Sequence, residues 1–397
     1  VVLGVTGGIA AYKAVQVARD LTALGAEVDV VLTPTAKRFV GALSFSGVTG
    51  RPVQSRILSA GGGALHVTLG AEADVVVVAP ATADLIARLA QGRADDLLTA
   101  VVLAAKGPVL LAPAMNDRMF AHPQTVRNLE HCRDVLGYRI VGPTTGALAV
   151  GEGEGAGRML EPEEIREHVG RALGRDAPYA GRRVLVTAGP TREAIDPVRF
   201  VGNRSSGRMG FALAREAWLR GADVVVVSGP TELAAPPGVT LRRVESAREM
   251  LAAAKDEVPT ADYLFFAAAV SDFRPVEALP EKIKRASTKG GFSLSLVENP
   301  DVIGDTTALR RPGATAVGFA LETEDMDEGA VRKLTEKRLD LVVGNDPGEP
   351  GAGFEVPTNR VTLYLPDRPA EALPLMTKEE AARVILDRAA RIAAGRA

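Results

Sequence analysis

Two stretches of this chain open in the same way, with an apolar run that breaks at glycine. VVLGVTGGIAAYKA starts at Val1, and RRVLVTAGPTREAIDPVRFVGNRSSGRMG starts at Arg182. Each run predicts a strand buried on both faces that ends in a tight turn. In the first stretch the turn leads straight into a helix, whose free N–H groups can hold a phosphate. Two such openings followed by different polar residues predict two α/β domains with separate sites. The chain has 397 residues, more than one hydrophobic core usually supports.

Alternating strands and helices continue through both halves, which predicts mainly parallel sheets covered by helices. In the first half, strand 1–5, helix 9–24 and strand 27–32 are followed by the strands of ADVVVVAPAT and PVLLAPAMN. GALAVGEGEGAGRML reads as a mobile flap over a site, because its glycines and charges cannot pack a core, and helix 162–172 follows. GRDAPYAG then marks a boundary, giving domains 1–174 and 181–397 with 175–180 as linker. In the second half RRVLVTAG, ADVVVVSGP, ADYLFFAAAV and ATAVGFALE predict strands, with a helix over 209–219 and DLVVGND as a strand edge. Thr377 with Glu380 forms a capping-box pattern ahead of Val384, Ile385 and Leu386, so the C-terminus predicts a packed helix.

Composition removes several classes of function. Lys and Arg number 47 against 49 Asp and Glu, which lacks the one-sided excess of a nucleic-acid-binding surface. Cys132 is the only cysteine, so neither an intrachain disulfide nor a CxxC centre can form, and its setting in NLEHCRDVLG predicts a structural role on a helix. Four histidines without ligand spacing argue against structural zinc. With no long apolar span and no signal-peptide pattern, a soluble cytoplasmic protein without membrane association is expected.

Several residues carry potential chemistry. Thr6, Gly7 and Gly8 form a turn that lets phosphate approach, with a hydroxyl to donate; a plain tight turn is the competing reading, since the spacing fits neither GxGxxG nor GxxxxGK[ST]. Thr82 and Asp84 follow a strand as a second polar contact. Asp95 and Asp96 can bind a metal or cap a helix, and the cap is favoured. His66 sits between a glycine run and a short helix, where an imidazole can move protons near neutrality; a surface or core histidine is the alternative. Asn116 in PAMNDRM offers an amide for a carboxylate, beside Met115 and Met119, which are more often packing residues. In the second half Gly189, Ser205, Ser206 and Gly207 can surround a phosphate, Asn203 can recognise an oxygen, and Asp272 follows an apolar strand. Lys282 and Lys284 in EKIKR can neutralise a triphosphate, or form only a solvated basic loop.

GVTGGIAAYKA, GGGALHVTL, VVVAPATAD, GRADDLLT, APAMNDRM and GEGAGRM occur in an order that resembles the flavin-dependent phosphopantothenoylcysteine decarboxylases. The second half resembles phosphopantothenate–cysteine ligases, and the whole chain resembles the bacterial bifunctional enzymes of coenzyme A biosynthesis. The resemblance implies a flavodoxin-like, Rossmann-like first domain and a Rossmann-like second one. It implies FMN at Thr6, Gly7, Gly8, Thr82 and Asp84, a substrate carboxylate on Asn116, and His66 as the essential histidine. It also implies trimers built into a homododecamer through the first domain, with flavin sites between subunits, and dimeric contacts through the second. The chemistry so implied is oxidation of the substrate thiol to a thioaldehyde, loss of the neighbouring carboxylate, and reduction of the resulting enethiol to phosphopantetheine.

Three positions depart from the family pattern. Val150 stands where these decarboxylases carry a cysteine that gives the final proton, so a decarboxylase that is impaired or releases the enethiol is the alternative expectation. Phe120 replaces a tryptophan and Asp84 an asparagine. In the ligase half the match assigns Asn203 to the acyl intermediate, Asp272 to the cytidine nucleotide and Lys282 to the triphosphate. Phe319 becomes a pocket wall in VGFALET, and Lys337 and Asn345 of KRLDLVVGND become nucleotide or phosphate contacts, with Gly189 in the nucleotide loop. Substrates so implied are 4'-phosphopantothenate, cysteine, CTP with Mg²⁺, and phosphopantothenoylcysteine. A nicotinamide-dependent oxidoreductase and a nonenzymatic nucleotide-binding scaffold are the readings from other classes.

Overall fold

The computed structural model describes residues 1–57, 64–148, 150–174, 178–284, 291–321, 326–345 and 356–395. Contacts divide the chain into two compact units, Val1–Leu173 and Gly174–Ala397. Among the expected features, the glycine run 61–63, Ala149, linker residues 175–177, Glu322, Thr323 and Asp346 lie outside the described residues. No helix among the described residues is long and apolar enough to cross a membrane.

The first unit runs β1 (Val2–Val5), α1 (Ala11–Ala23), β2 (Asp29–Leu32), α2 (Ala42–Thr49), α3 (Leu65–Glu72) and β3 (Val76–Ala81). It continues through α4 (Ala83–Ala90), α5 (Leu97–Leu103), β4 (Val109–Pro113), α6 (Asp117–Ala121), α7 (Pro123–Asp134) and β5 (Arg139–Ile140). The hairpin β6 (Thr144–Ala147) and β7 (Glu154–Arg158) then precedes α8 (Pro162–Leu173). The sheet has the order β2-β1-β3-β4-β5, and its pairs are all parallel. Leu3, Val5 and Val77 pack with Val17 of α1 and Ile165 of α8 on one face, while Val76, Val78 and Leu111 pack with Ile86 and Leu98 on the other. This two-sided burial is why the strands read as unbroken apolar runs. At Gly4 a Cβ would stand 2.3 Å from Leu98 Cδ1, so the glycine lets α5 lie directly on β1.

The second unit contains β8 (Arg183–Ala188), β9 (Arg192–Ala194), β10 (Phe200–Gly202), α9 (Arg208–Leu219), β11 (Asp223–Ser228), β12 (Thr240–Arg243) and α10 (Ala247–Glu257). After these come β13 (Tyr263–Phe266), β14 (Phe273–Pro275), β15 (Leu296–Glu298), β16 (Thr315–Leu321), α11 (Met326–Glu336) and β17 (Leu341–Asn345). The chain ends with β18 (Thr358–Asn359), β19 (Thr362–Tyr364), β20 (Glu371–Ala372), β21 (Met376–Thr377) and α12 (Lys378–Ala394). The main sheet is ordered β12-β11-β8-β13-β16-β17-β19-β20, with antiparallel pairing only beyond β17. Thr377 and Glu380 make the capping box of α12, and Ile385 and Leu386 enter the core.

Two expectations change. The flap is not irregular: β6 and β7 pair antiparallel from Thr144–Arg158 to Ala147–Glu154, because a backbone ladder needs no apolar side chains. Leu341–Asn345 of DLVVGND is an inner strand, since β19 covers the free side of β17.

Candidate active sites

In the first unit the strand order reverses between β1 and β3, and a crevice opens there at the carboxyl ends, the place where open α/β sheets bind ligands. A cavity of about 830 Å³ occupies it. Thr6, Gly7 and Gly8 after β1, Thr35 after β2, Thr82 and Asp84 after β3, and Met115 and Asn116 after β4 all line it. The structure therefore brings together six of the expected residues: Thr6, Gly7, Gly8, Thr82, Asp84 and Asn116.

Their individual roles differ from a simple phosphate cradle. Thr6 is buried; its hydroxyl donates to Pro80 O at 2.7 Å and accepts the Thr82 N–H at 3.3 Å. Its proton is committed inside the protein, which corrects the expectation of a free donor: Thr6 ties β1 to β3 at the crevice floor. Thr82 caps α4, its oxygen accepting the Leu85 N–H. Asp84 is exposed, with Oδ2 3.2 Å from Arg88 Nε, close enough for charge attraction but not aligned for a hydrogen bond. Arg88 also donates to Asp95 at 3.1 Å and Asp96 at 2.7 Å, and Asp96 caps α5 in a capping box with Thr99. Asn116 Oδ1 accepts the Arg118 N–H at 3.0 Å, which leaves its Nδ2 as the donor for a ligand oxygen.

His66 does not join this group. It lies on α3 itself, outside the cavity lining, and its buried Nδ1 has no hydrogen-bond partner. Val150 stands fully exposed between β6 and β7, whereas Leu148 and Glu152 line the cavity. Cys132 is buried on α7 with Sγ 3.9 Å from Ile86 O, and burial pushes its thiol up to about 11, so it is packing and not a nucleophile.

In the second unit the order reverses between β8 and β13, and a pocket of about 110 Å³ opens beside the start of α9. Ser205, Ser206, Gly207, Arg208, Phe319, Asn345, Asn359 and Lys378 are among its walls. Gly207 has φ 77° and Gly189 φ 72°, and a Cβ on Gly207 would stand 3.3 Å from Gly189 Cα. Gly210 lets α9 close onto β8, since a Cβ there would meet Ala188 Cβ at 2.6 Å. Lys378 is 4% exposed; burial, with Arg208 adding like charge, brings its ammonium down to about 8. Two cations and a helix N-terminus converging on one small pocket form an electrostatic site for an anion.

Phe319 and Asn345 are on this pocket, while Gly189 only supports its loop. Asn203, Asp272 and Lys282 are exposed and outside its lining. Asn203 donates its Nδ2 to Ala269 O at 3.2 Å and Val270 O at 3.1 Å, so its Oδ1 alone is left to meet a ligand. Lys337 does not reach the pocket. It precedes the amino end of β17 and is paired with Asp301, while Asn345 ends β17; the four steps from Leu341 to Asn345 separate the two levels by roughly 13 Å. The α11 cation that reaches the pocket strand is Lys333, which donates to Phe319 O.

Residues 1–174 match the Flavoprotein family, and residues 179–392 match the DNA/pantothenate metabolism flavoprotein C-terminal domain. The coenzyme A biosynthesis bifunctional protein CoaBC of Mycobacterium tuberculosis (strain ATCC 25618 / H37Rv) is 46% identical over 401 residues, covering 98% of this chain and 95% of that protein. Its counterpart in Vibrio cholerae serotype O1 is 42% identical over 390 residues, covering 97% and 96%. This chain belongs to the family of coenzyme A biosynthesis bifunctional proteins. A solved FMN-dependent cysteine decarboxylase, SpaF, is 37% identical, with a TM-score of 0.37 and coverage of 43% of this chain and 95% of that one.

Membership of this family implies FMN, and the first cavity fits it. Its volume lies in the range of cofactor pockets, roughly 300–1,000 Å³. Ile9, Met115 and Met159 give apolar walls for a planar ring; Lys13 and Arg158 share the single carboxylate of Glu161 and so keep a net positive charge for a phosphate, whereas Arg88 is taken up by Asp84, Asp95 and Asp96. Gly7 keeps the turn bare, because a Cβ there would stand 2.3 Å from Thr35 Cγ2. Sequence reasoning missed Lys13, Arg88 and Arg158 here, and Arg208, Asn359 and Lys378 in the second unit. A polar side chain on a helix or at a strand end reads as a solvated group until the fold shows what it faces.

Proposed function

We propose that this chain catalyses two steps of coenzyme A biosynthesis. The second unit joins 4'-phosphopantothenate to cysteine at the expense of CTP, and the first unit decarboxylates the phosphopantothenoylcysteine product to 4'-phosphopantetheine with FMN. The observation that carries this reading is the match to bifunctional relatives over 98% of the chain, together with one site in each unit.

In the first unit bound FMN supplies the two-electron redox chemistry. Asn116 donates its Nδ2–H to the substrate carboxylate, and the β6–β7 hairpin covers the cavity with the apolar side chain of Leu148. His66, off the cavity of its own chain, serves the site of a neighbouring copy, where its imidazole moves a proton. That role needs copies to assemble, and the family resemblance adds the form: a homododecamer through the first unit and pairs through the second.

In the second unit Arg208, Lys378 and the first N–H groups of α9 receive the triphosphate, and Phe319 walls the pocket. Asp272 and Asn345 contact the nucleotide. Lys282 offsets charge as a carboxylate oxygen of phosphopantothenate bonds to the α-phosphorus of CTP and pyrophosphate departs with the bridging electron pair. The amine of cysteine then attacks the acyl carbon, loses its proton and displaces CMP, while Asn203 Oδ1 accepts a hydrogen bond from the intermediate. Mg²⁺ would be held by the triphosphate itself and by water, as it commonly is, and would offset the same charge as Lys282.

Purified protein supplied with FMN, 4'-phosphopantothenate, cysteine and CTP tests the reading. Equal amounts of CMP, pyrophosphate and carbon dioxide are expected. Absence of CMP release sinks the ligase, and absence of carbon dioxide from supplied phosphopantothenoylcysteine sinks the decarboxylase.

A further inference from the structure

The turn between β9 and β10 holds the segment that carries Lys282. Asp196 at this turn is 3% exposed, and its carboxylate has four donors. Oδ1 accepts the N–H of Val198 at 2.8 Å and of Arg199 at 2.9 Å. Oδ2 accepts the Arg199 guanidinium at 2.8 Å and the N–H of Ile283, 87 residues away in sequence, at 3.1 Å. Both terminal nitrogens of Arg199 also donate to Ile283 O at 3.2 Å. Four residues earlier, the Leu279 N–H donates to Ile195 O at 2.9 Å. The segment 279–283 is thus fastened to the turn at both ends, and Lys282 adjoins the second fastening.

Closing the turn needs only Oδ1. The second carboxylate oxygen and the guanidinium reach across to a distant residue and grip both the N–H and the C=O of Ile283. A lysine on a free segment would lose backbone and side-chain freedom on meeting a triphosphate, and fixing the backbone beforehand removes part of that cost. We infer that Asp196 and Arg199 are positioning residues for Lys282 in the CTP-dependent activation step. The inference rests on the ligase reading above and on the role it gives Lys282.

The Asp196→Asn variant isolates the clasp. An amide provides one acceptor where the turn and the Ile283 peptide each need one. Full-length protein carrying Asp196→Asn, Arg199→Lys, Lys282→Ala or the Asp196→Asn/Lys282→Ala pair is assayed for acyl-cytidylate formation across CTP concentrations. Melting followed by Trp218 fluorescence checks the fold of the second unit. In the wild-type background Asp196→Asn is expected to lower kcat/KM for CTP roughly 10- to 100-fold, the scale of an angstrom-sized misplacement. In the Lys282→Ala background the same change is expected to cost at most about 2-fold, since a residue acting through Lys282 has nothing left to position. Arg199→Lys, which keeps the charge and loses the two-nitrogen grip, is expected to fall between Asp196→Asn and the wild type. Equal losses in both backgrounds, or wild-type kinetics in Asp196→Asn, overturn the clasp while leaving Lys282 its role. Wild-type kinetics in Lys282→Ala overturn that role, and the clasp with it.

Discussion

Met115 and Gly157 interlock through their backbones: the Met115 N–H donates to Gly157 O at 3.0 Å, and a Cβ on Gly157 would lie 2.2 Å from Met115 O. The glycine has φ 146°, a conformation that side chains disfavour. The β6–β7 hairpin is thereby pressed onto the turn that carries Asn116. Gly157→Ala should push the hairpin away and weaken FMN binding by at least roughly tenfold, about 1.4 kcal/mol. Flavin fluorescence titration measures this, and an unchanged Kd would show that the hairpin does not help to hold the cofactor.

Thr6 makes a second, local prediction. Thr6→Val preserves shape but removes the acceptor of the Thr82 N–H and the donor to Pro80 O, a loss of about 1–3 kcal/mol for groups left unpaired in a buried site. The FMN-loaded first unit should release flavin several degrees lower in a thermal ramp, and Thr6→Ser should recover most of the loss. Trp218, the only tryptophan, lies in the second unit and should report an unchanged transition there. If Thr6→Ser behaves like Thr6→Val, the bridge is not the cause.

The parallel strands were legible because burial on both faces leaves unbroken apolar runs, as in Val76, Val77 and Val78. The capping box of Thr377 and Glu380 was legible because its bonds are local in sequence. What the chain did not disclose depends on separation. Asp196 looks like an ordinary turn aspartate until Ile283 arrives, and Lys378 looks like an exposed first-turn residue until α12 docks its start beside Ser205 and Asn345. Lys337 shows the converse. Its motif is local, but the strand that follows carries the pocket residues to the opposite end of the sheet from it. A missing thiol was visible at Val150, whereas its exposure, with Leu148 and Glu152 facing the cavity instead, needed the hairpin.

Lys378 gives the second site a pH dependence. Its folded value of about 8 lies below that of an ordinary lysine, chiefly through burial and then through Arg208. Between those two values the unfolded chain holds a proton that the empty folded protein lacks, so this residue makes stability rise with pH there. Binding an anion favours the ammonium and reverses the preference. CTP affinity should therefore weaken by up to about tenfold as pH rises from 7 to 9, as the ammonium is lost. Lys378→Met should bind more weakly at pH 7 and lose most of that pH slope. Calorimetric titration at several pH values checks both, and a Lys378→Met slope equal to the wild type would assign the effect to another group.

His66 and Asn116 provide the last test, because the cavity contains Asn116 but not the His66 of the same chain. If His66 completes a neighbour's site, two inactive variants should repair one another. His66→Ala alone and Asn116→Ala alone are each expected to lose decarboxylation, Asn116→Ala by removing the carboxylate donor and His66→Ala by removing the proton carrier. When the two are unfolded, mixed and refolded together, random assembly pairs an intact Asn116 from one chain with an intact His66 from the other in about a quarter of the sites, if each site draws one residue from each of two copies. Carbon dioxide release should return to roughly that fraction of a wild-type sample taken through the same cycle. Each variant refolded alone is the control for recovery. A mixture no more active than its parents, at wild-type assembly size by sedimentation, would place His66 and Asn116 in the service of the same chain; the hairpin and α3 would then have to close together before His66 reached the cavity.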